Sequence, residues 1–143
     1  MTVQQLSVFV ENKSGRLAKI TDILSKNNID IRALSVADTT DYGIIRLIVN
    51  NPKIACEVLK AEEYTVKLTE VIVVALDDRV GALARTLSLL DANGIGVEYL
   101  YAFIGRDNGR AFIILRVEDN NKAIAVLISS GYCIADAEEI YNI

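Results

Sequence analysis

Hydrophobic and polar positions change period along this chain in a fixed order, and the order occurs twice. Leu6, Val8 and Val10 alternate with Ser7 and Phe9, a period of two that predicts a strand. Leu17, Ile20, Ile23, Leu24 and Asn27 then recur at helical spacing. Asn12 or Ser14 can cap that helix, Gly15 lets the backbone turn tightly into it, and Asn27-Asn28 ends it. Ile31 to Asp38 reads as a second strand, Thr39-Thr40-Asp41-Tyr42-Gly43 as a hairpin turn and Ile44 to Val49 as a third strand. Pro52 suits the first turn of a helix, and Ile54, Ala55, Val58 and Leu59 give that helix one apolar face. Tyr64 to Leu68 is a short fourth strand.

The second half repeats the first. A shift of 66 positions lays Gly15 on Gly81, Leu17 on Leu83, Leu24 on Leu90, Asn27 on Asn93 and Ile29 on Ile95. Further on the shift is 68, laying Val49 on Val117, Ala55 on Ala123, Leu59 on Leu127 and Tyr64 on Tyr132. The two extra residues fall around Arg106-Asp107-Asn108-Gly109-Arg110, a turn where an insertion is tolerated. Val71 to Leu76 is therefore a strand, Gly81 to Ala92 a helix, Gly96 to Ile104 and Arg110 to Val117 a hairpin, Asn121 to Ser129 a helix, and Cys133 onward a last strand. The link between copies is Thr69-Glu70 alone, so residues 1–69 and 70–143 are the expected domains.

Each copy has the order β-α-β-β-α-β. The predicted class is α+β: two ferredoxin-like repeats, each an antiparallel sheet with both helices on one face. The face away from the helices should be polar if it meets water, yet Val71-Ile72-Val73-Val74-Ala75-Leu76 is apolar on both faces. Tyr99, Tyr101 and Phe103 fall on one face of their strand, Leu100, Ala102 and Ile104 on the other. Apolar outer faces predict that the two sheets join each other and a second chain, giving a homodimer; the plainer reading of Val71 to Leu76 is a central strand.

Composition narrows the chemistry. The net charge of −4 and the pI near 4.8 leave no basic stripe for phosphate backbones, so no nucleic acid is expected. The same acidity argues against Tyr99, Tyr101 and Phe103 as a base-stacking platform. The sequence has no histidine, which removes the usual zinc sites and Ser-His-Asp or Cys-His catalysis. Cys56 and Cys133 stand far apart and read as two thiols in a reducing compartment. No apolar run reaches the roughly 18 residues of a membrane helix, and Met1-Thr2-Val3-Gln4-Gln5 carries no signal-peptide core, so no membrane and a cytoplasmic address are expected. Mean hydropathy, +0.31, is high for a soluble chain and agrees with buried interfaces.

The segment Asn12-Lys13-Ser14-Gly15-Arg16-Leu17-Ala18, with Ile23-Leu24 and then Asn27-Asn28-Ile29-Asp30-Ile31, resembles the opening of an ACT domain. Asp77-Asp78-Arg79-Val80-Gly81-Ala82-Leu83, with Leu90 and Asn93-Gly94-Ile95-Gly96-Val97, is similar. The likeness covers nearly the whole chain. Ser14 and Val80 stand where that family usually has a proline before the glycine, and neither copy adjoins a catalytic domain, so the chain reads as a free-standing tandem pair.

The resemblance implies regulation rather than catalysis, with an amino acid bound at the loop between first strand and first helix and at the domain interface. The physical reason is that a helix N-terminus offers unpaired N–H groups and partial positive charge to a carboxylate, while a glycine admits close approach. The candidates in copy one are Asn12, Ser14, Gly15, Arg16 and Leu17, with Asp30 and Ile31 expected to face the same pocket. In copy two they are Asp77, Asp78, Val80, Gly81 and Leu83, with Val97 and Glu98 on the following strand. Simple capping explains Asn12, Ser14, Asp77 and Asp78 equally well, and Asp30 suits a solvated turn. Asp77-Asp78 could attract a cation, but further oxygen ligands are too few for calcium. No cofactor is expected.

Lys13 and Arg16 in one loop against Asp77 and Asp78 in the other predict two unequal sites. The alternative is a ligand-free, dimerising regulatory subunit that modulates a metabolic enzyme through protein contact. An acylphosphatase-like hydrolase using Arg16 and Asn12 is a third reading, weakened because copy two has no matching Arg-Asn pair and the loop no run of glycines.

Overall fold

The computed structural model of the chain describes every residue except Asn12, Thr39, Thr40 and 105–108, and only the backbone of Ile104. The predicted turns at 39–40 and 106–108 therefore lie outside the described residues. The elements are β1 (Val3–Glu11), α1 (Arg16–Lys26), β2 (Ile31–Asp38), β3 (Tyr42–Val49), α2 (Pro52–Ala61), β4 (Thr65–Asp77), α3 (Ala82–Ala92), β5 (Val97–Ile104), β6 (Arg110–Val117), α4 (Asn120–Ser129), β7 (Cys133–Ala135) and α5 (Ala137–Tyr141). No helix among the described residues is long and apolar enough to cross a membrane. Two compact units result, Gln4–Thr69 with Asn142, and Glu70–Tyr141 with Met1–Val3 and Ile143.

In the first unit the strand order is β2-β3-β1-β4, the arrangement of a βαββαβ sheet. Register sets the faces. Leu6 pairs with Leu47 and Val8 with Ile45, so these four point toward the helices. Ile20 and Leu24 of α1 and Ala55 and Leu59 of α2 meet them, all fully buried. Each helical pair is four residues apart, the stride that keeps side chains on one face.

The second unit repeats this plan as β7-β4-β6-β5. Ile72 pairs with Leu115 and Val74 with Ile113; Leu90 of α3 and Leu127 of α4 close the core. Tyr99, Tyr101 and Phe103 pair with Arg116, Ile114 and Phe112 on the opposite face, where the rings of Phe103 and Phe112 stack at 5.1 Å. Val71, Val73 and Ile114 on that face are fully buried.

Helix ends are duplicated as well. Asn27 Nδ2 donates to the Ile23 carbonyl and Asn93 Nδ2 to the Leu89 carbonyl, both at 2.8 Å. The next residue is left-handed in each copy, Asn28 in one and Gly94 in the other. α2 and α4 start on side-chain caps: Asn51 Oδ1 accepts from the Ile54 N–H at 3.2 Å, and Asp119 Oδ1 from the Lys122 N–H at 3.1 Å. Asn51→Ala should therefore destabilise the protein by about 1 kcal/mol, read as a lower urea midpoint. An unchanged midpoint would mean the cap bond contributes nothing.

Two details depart from the sequence reading. The strands expected on either side of Thr69-Glu70 are one 13-residue element, β4: neither residue forms a turn, and the Glu70 carbonyl accepts from Arg116 Nη1 and Asn120 Nδ2 instead. The last strand is only Cys133–Ala135. Asp136 then stops it, its Oδ1 accepting from the Glu139 N–H at 2.8 Å as α5 begins.

Candidate functional site

The candidate loops precede α1 and α3, and they have one conformation. Gly15 and Gly81 immediately precede the helices with φ of 84° and 88°, a left-handed backbone that strongly favours glycine. Among the described residues neither helix has a side-chain cap, so the alternative of simple capping does not hold for Ser14, Asp77 and Asp78; Asn12 lies outside the described residues. Each loop instead closes on its own backbone. The Lys13 N–H donates to the Glu11 carbonyl and the Arg79 N–H to the Asp77 carbonyl, while the Asp78 N–H donates to the Gly109 carbonyl. Side-chain caps thus start the second helix of each copy, whereas the first shows none among the described residues, its leading N–H donating to the Lys13 carbonyl in one copy and the Arg79 carbonyl in the other.

Beside each loop lies a cavity, and the two cavities correspond residue by residue. The first, about 350 Å³, is lined by Phe9, Val10 and Glu11 of β1, Arg16 and Lys19 of α1, and Glu62, Glu63, Tyr64 and Thr65 after α2. The second, about 600 Å³, is lined by Ala75, Leu76 and Asp77 of β4, Ala82 and Arg85 of α3, Ser130, Gly131, Tyr132 and Cys133 after α4, and additionally by Arg79 and Arg110. Shifts of 66 and 68 carry every residue of the first lining onto one of the second. The backbone agrees: Glu63 and Gly131 are both left-handed, at φ 67° and 85°.

Their charges are opposite. The first cavity sets Arg16 and Lys19 against Glu11, Glu62 and Glu63. Lys13 Nζ is 2.8 Å from Glu11 Oε2, and this hydrogen bond, reinforced by the lysine's charge, holds the Glu11 carboxyl below its ordinary value. The second cavity sets Arg79, Arg85 and Arg110 against Asp77 alone. Arg79 Nη2 lies 3.8 Å from Asp77 Oδ2. The Arg110 guanidinium lies over the Phe112 ring, 5.4 Å from its centroid, with Nη2 4.0 Å from Cys133 Sγ. Read from loop residues alone, copy one is the basic site and copy two the acidic one; the cavity linings reverse those signs.

The remaining candidates separate. Leu17 and Leu83 are exposed at the helix starts, and Val80 is wholly exposed. Asp30 and Ile31 lie past the other end of α1, about 16 Å along an 11-residue helix. They line another cavity of about 520 Å³ with Thr21, Ser25, Asn28, Ile29 and Asn50, so within the unit they do not share the Gly15 loop's cavity. The Asp30 N–H donates to Asn50 Oδ1 at 3.0 Å and its carboxylate pairs with Arg32. Val97 and Glu98 sit likewise beyond α3, with Glu98 Oε2 3.5 Å from Arg116 Nε. Among the described residues, no group of three or more His, Cys, Asp or Glu could hold a metal ion, Asp77 and Asp78 included. Sequence reasoning missed Lys19, Glu62 and Glu63 in copy one and Arg85, Arg110, Tyr132 and Cys133 in copy two. The repeat carried part of the signal, because Lys19 and Arg85 fall on one another, and Glu62 and Glu63 on the lining residues Ser130 and Gly131.

Comparison with known proteins follows the same division into two copies. The model of the ACT domain pair family matches residues 1–142. No curated protein matches. Among solved structures, protein BT0572 from Bacteroides thetaiotaomicron is similar at 38% identity and a TM-score of 0.93, over 100% of this chain and 98% of that one. The ligand-free regulatory subunit of aspartate kinase from Thermus thermophilus shares the fold at 15% identity and a TM-score of 0.63, over 90% of this chain and 92% of that one. The regulatory subunit of aspartate kinase from Thermus flavus does so at 13% identity and a TM-score of 0.63, over 89% and 91%.

Proposed function

The chain belongs to the ACT domain pair family, and from that premise we propose that it is a non-catalytic regulatory protein that senses an amino acid at its glycine loops. The observation that carries the reading is the uncapped, left-handed glycine start of α1 and α3, each beside a cavity, where α2 and α4 are capped by Asn51 and Asp119. N–H groups left without a side-chain acceptor and the helix dipole suit an α-carboxylate. The two cavities differ in charge and size, so the two loops are not equivalent sites.

The protein acts as a homodimer in this proposal. β2 is an edge strand of its sheet, and Leu34 and Val36 on it are 43% and 52% exposed, a surface that a second copy would cover. The same surface favours the second reading, a subunit that binds no ligand and modulates a metabolic enzyme by contact alone.

A thermal-shift screen against the twenty amino acids separates the two. A ligand at 100 times its dissociation constant stabilises the native state by about 2.7 kcal/mol, enough to raise Tm by several degrees. One or two responding amino acids are expected. A flat response throughout would sink the sensor reading and leave the contact-only subunit.

A further inference from the structure

We propose that the cavity of the second unit is a binding site for a small dianion, a dicarboxylate or a phosphate-bearing metabolite, and that its counterpart in the first unit is not. Its volume, about 600 Å³, is that of a metabolite site. It gathers three guanidinium groups in a protein whose net charge is −4. Arg79 is matched by Asp77. Among the described residues, neither Arg85 nor Arg110 has an ion-pair partner. Two guanidiniums without a carboxylate partner among the described residues suit a ligand with two negative charges, and their planar forks match the paired oxygens of a carboxylate or phosphate.

Backbone and cavity are fitted to these side chains. A Cβ built on Gly81 would stand 3.0 Å from Arg85 Nη1, so that guanidinium lies close over the loop at a position that carries no side chain. Arg110 is steadied over Phe112. Tyr132 and Cys133 complete the wall. In the first unit Lys19 replaces Arg85, Tyr42 replaces Arg110, and Glu62 and Glu63 replace Ser130 and Gly131. Carboxylates there outnumber cations in the lining and repel the same ligand.

The inference rests on the reading that the Gly81 loop is a ligand-binding end, and Cys133 tests it locally. This thiol lines the cavity and is exposed, whereas Cys56 is buried and serves as internal control. The rate of Cys133 alkylation by iodoacetamide would be followed by mass spectrometry on the intact chain, with succinate, inorganic phosphate or acetate added at fixed ionic strength. Succinate or phosphate should slow alkylation saturably and acetate should not; whichever dianion acts at lower concentration identifies the headgroup. Replacing Arg85 and Arg110 together by glutamine should raise the half-protecting concentration by about tenfold or more. If the double variant melts early, each single variant carries the same test.

No protection by either dianion, equal protection by acetate, or protection indifferent to the arginines would overturn the inference. A response to amino acids in the thermal screen without dianion protection removes this inference and leaves the sensor reading standing. Protection with a flat amino-acid screen does the reverse, and silence in both removes both.

Discussion

Leu90→Ala is expected to destabilise the protein by about 3 kcal/mol, within the range for fully buried leucines. Leu90 is 0% exposed and sits where α3 meets the sheet, packed in one cluster with Ile72, Ile113, Leu115 and Leu127. Two costs add: the transfer free energy of the lost side-chain carbons, and the cavity that β4 and β6 cannot close because their ladder fixes the spacing. The position also ends the helix, since the Leu90 carbonyl accepts from the Ile95 N–H at 2.9 Å. That bond is backbone and survives the substitution, so the loss is one of packing. Urea denaturation followed by circular dichroism reads it. A loss below about 1 kcal/mol would show that the helix settles into the gap and that the core is looser than the register implies.

Leu24 occupies the same place in the first unit, and that equivalence explains what the sequence made legible. Core residues repeat because both sheets need side chains on one face at a fixed stride. The shift that lays Leu24 on Leu90 and Asn27 on Asn93 thus makes the element order of both copies and the ends of their first helices legible in the sequence. Three things were not legible, each for a physical reason. The continuity of β4 across Thr69-Glu70 was hidden because a short polar pair resembles a link, and only acceptors such as the Glu70 carbonyl, held by Arg116 and Asn120, show it inside a strand. Side-chain capping is an open alternative for Ser14 and Asp78 in the sequence because both have the right chemistry near the helix starts; the left-handed turns put those starts at Gly15 and Gly81, one residue past Ser14 and three past Asp78. The cavity charges were misjudged because the linings come from segments far apart in sequence. Arg85 is one helical turn into α3, Arg110 opens β6, and Glu62 and Glu63 follow α2. Residues adjacent in sequence, such as Asp77 and Asp78, weighed too much, and Asp78 is absent from the lining.

Gly81→Val should cost about 2 kcal/mol of stability and also abolish protection of Cys133 by a dianion, two effects that Gly15→Val separates. At φ of 88° and 84° the two glycines hold nearly the same left-handed backbone, which a β-branched residue adopts only under strain of about 1–2 kcal/mol or more. The stability losses should therefore match within a few tenths of a kcal/mol. The surroundings differ. A Cβ at position 15 meets nothing within 4 Å, whereas at position 81 it meets Arg85 Nη1 at 3.0 Å. A guanidinium is the end of a flexible chain, so it gives way at little cost in folding, but it no longer lies over the loop where the anion would meet it. Gly81→Val is thus predicted to remove a ligand contact that Gly15→Val leaves intact, although both pay the same backbone strain. Melting curves and Cys133 alkylation on the two variants decide the matter together. Equal stability losses with equal, undiminished protection would mean that Arg85 takes no part in holding the anion. Because Gly15 lies in the other unit, a loss of protection in both variants would show that general destabilisation, rather than the displaced Arg85 guanidinium, removes the ligand, and would overturn the role given to Arg85.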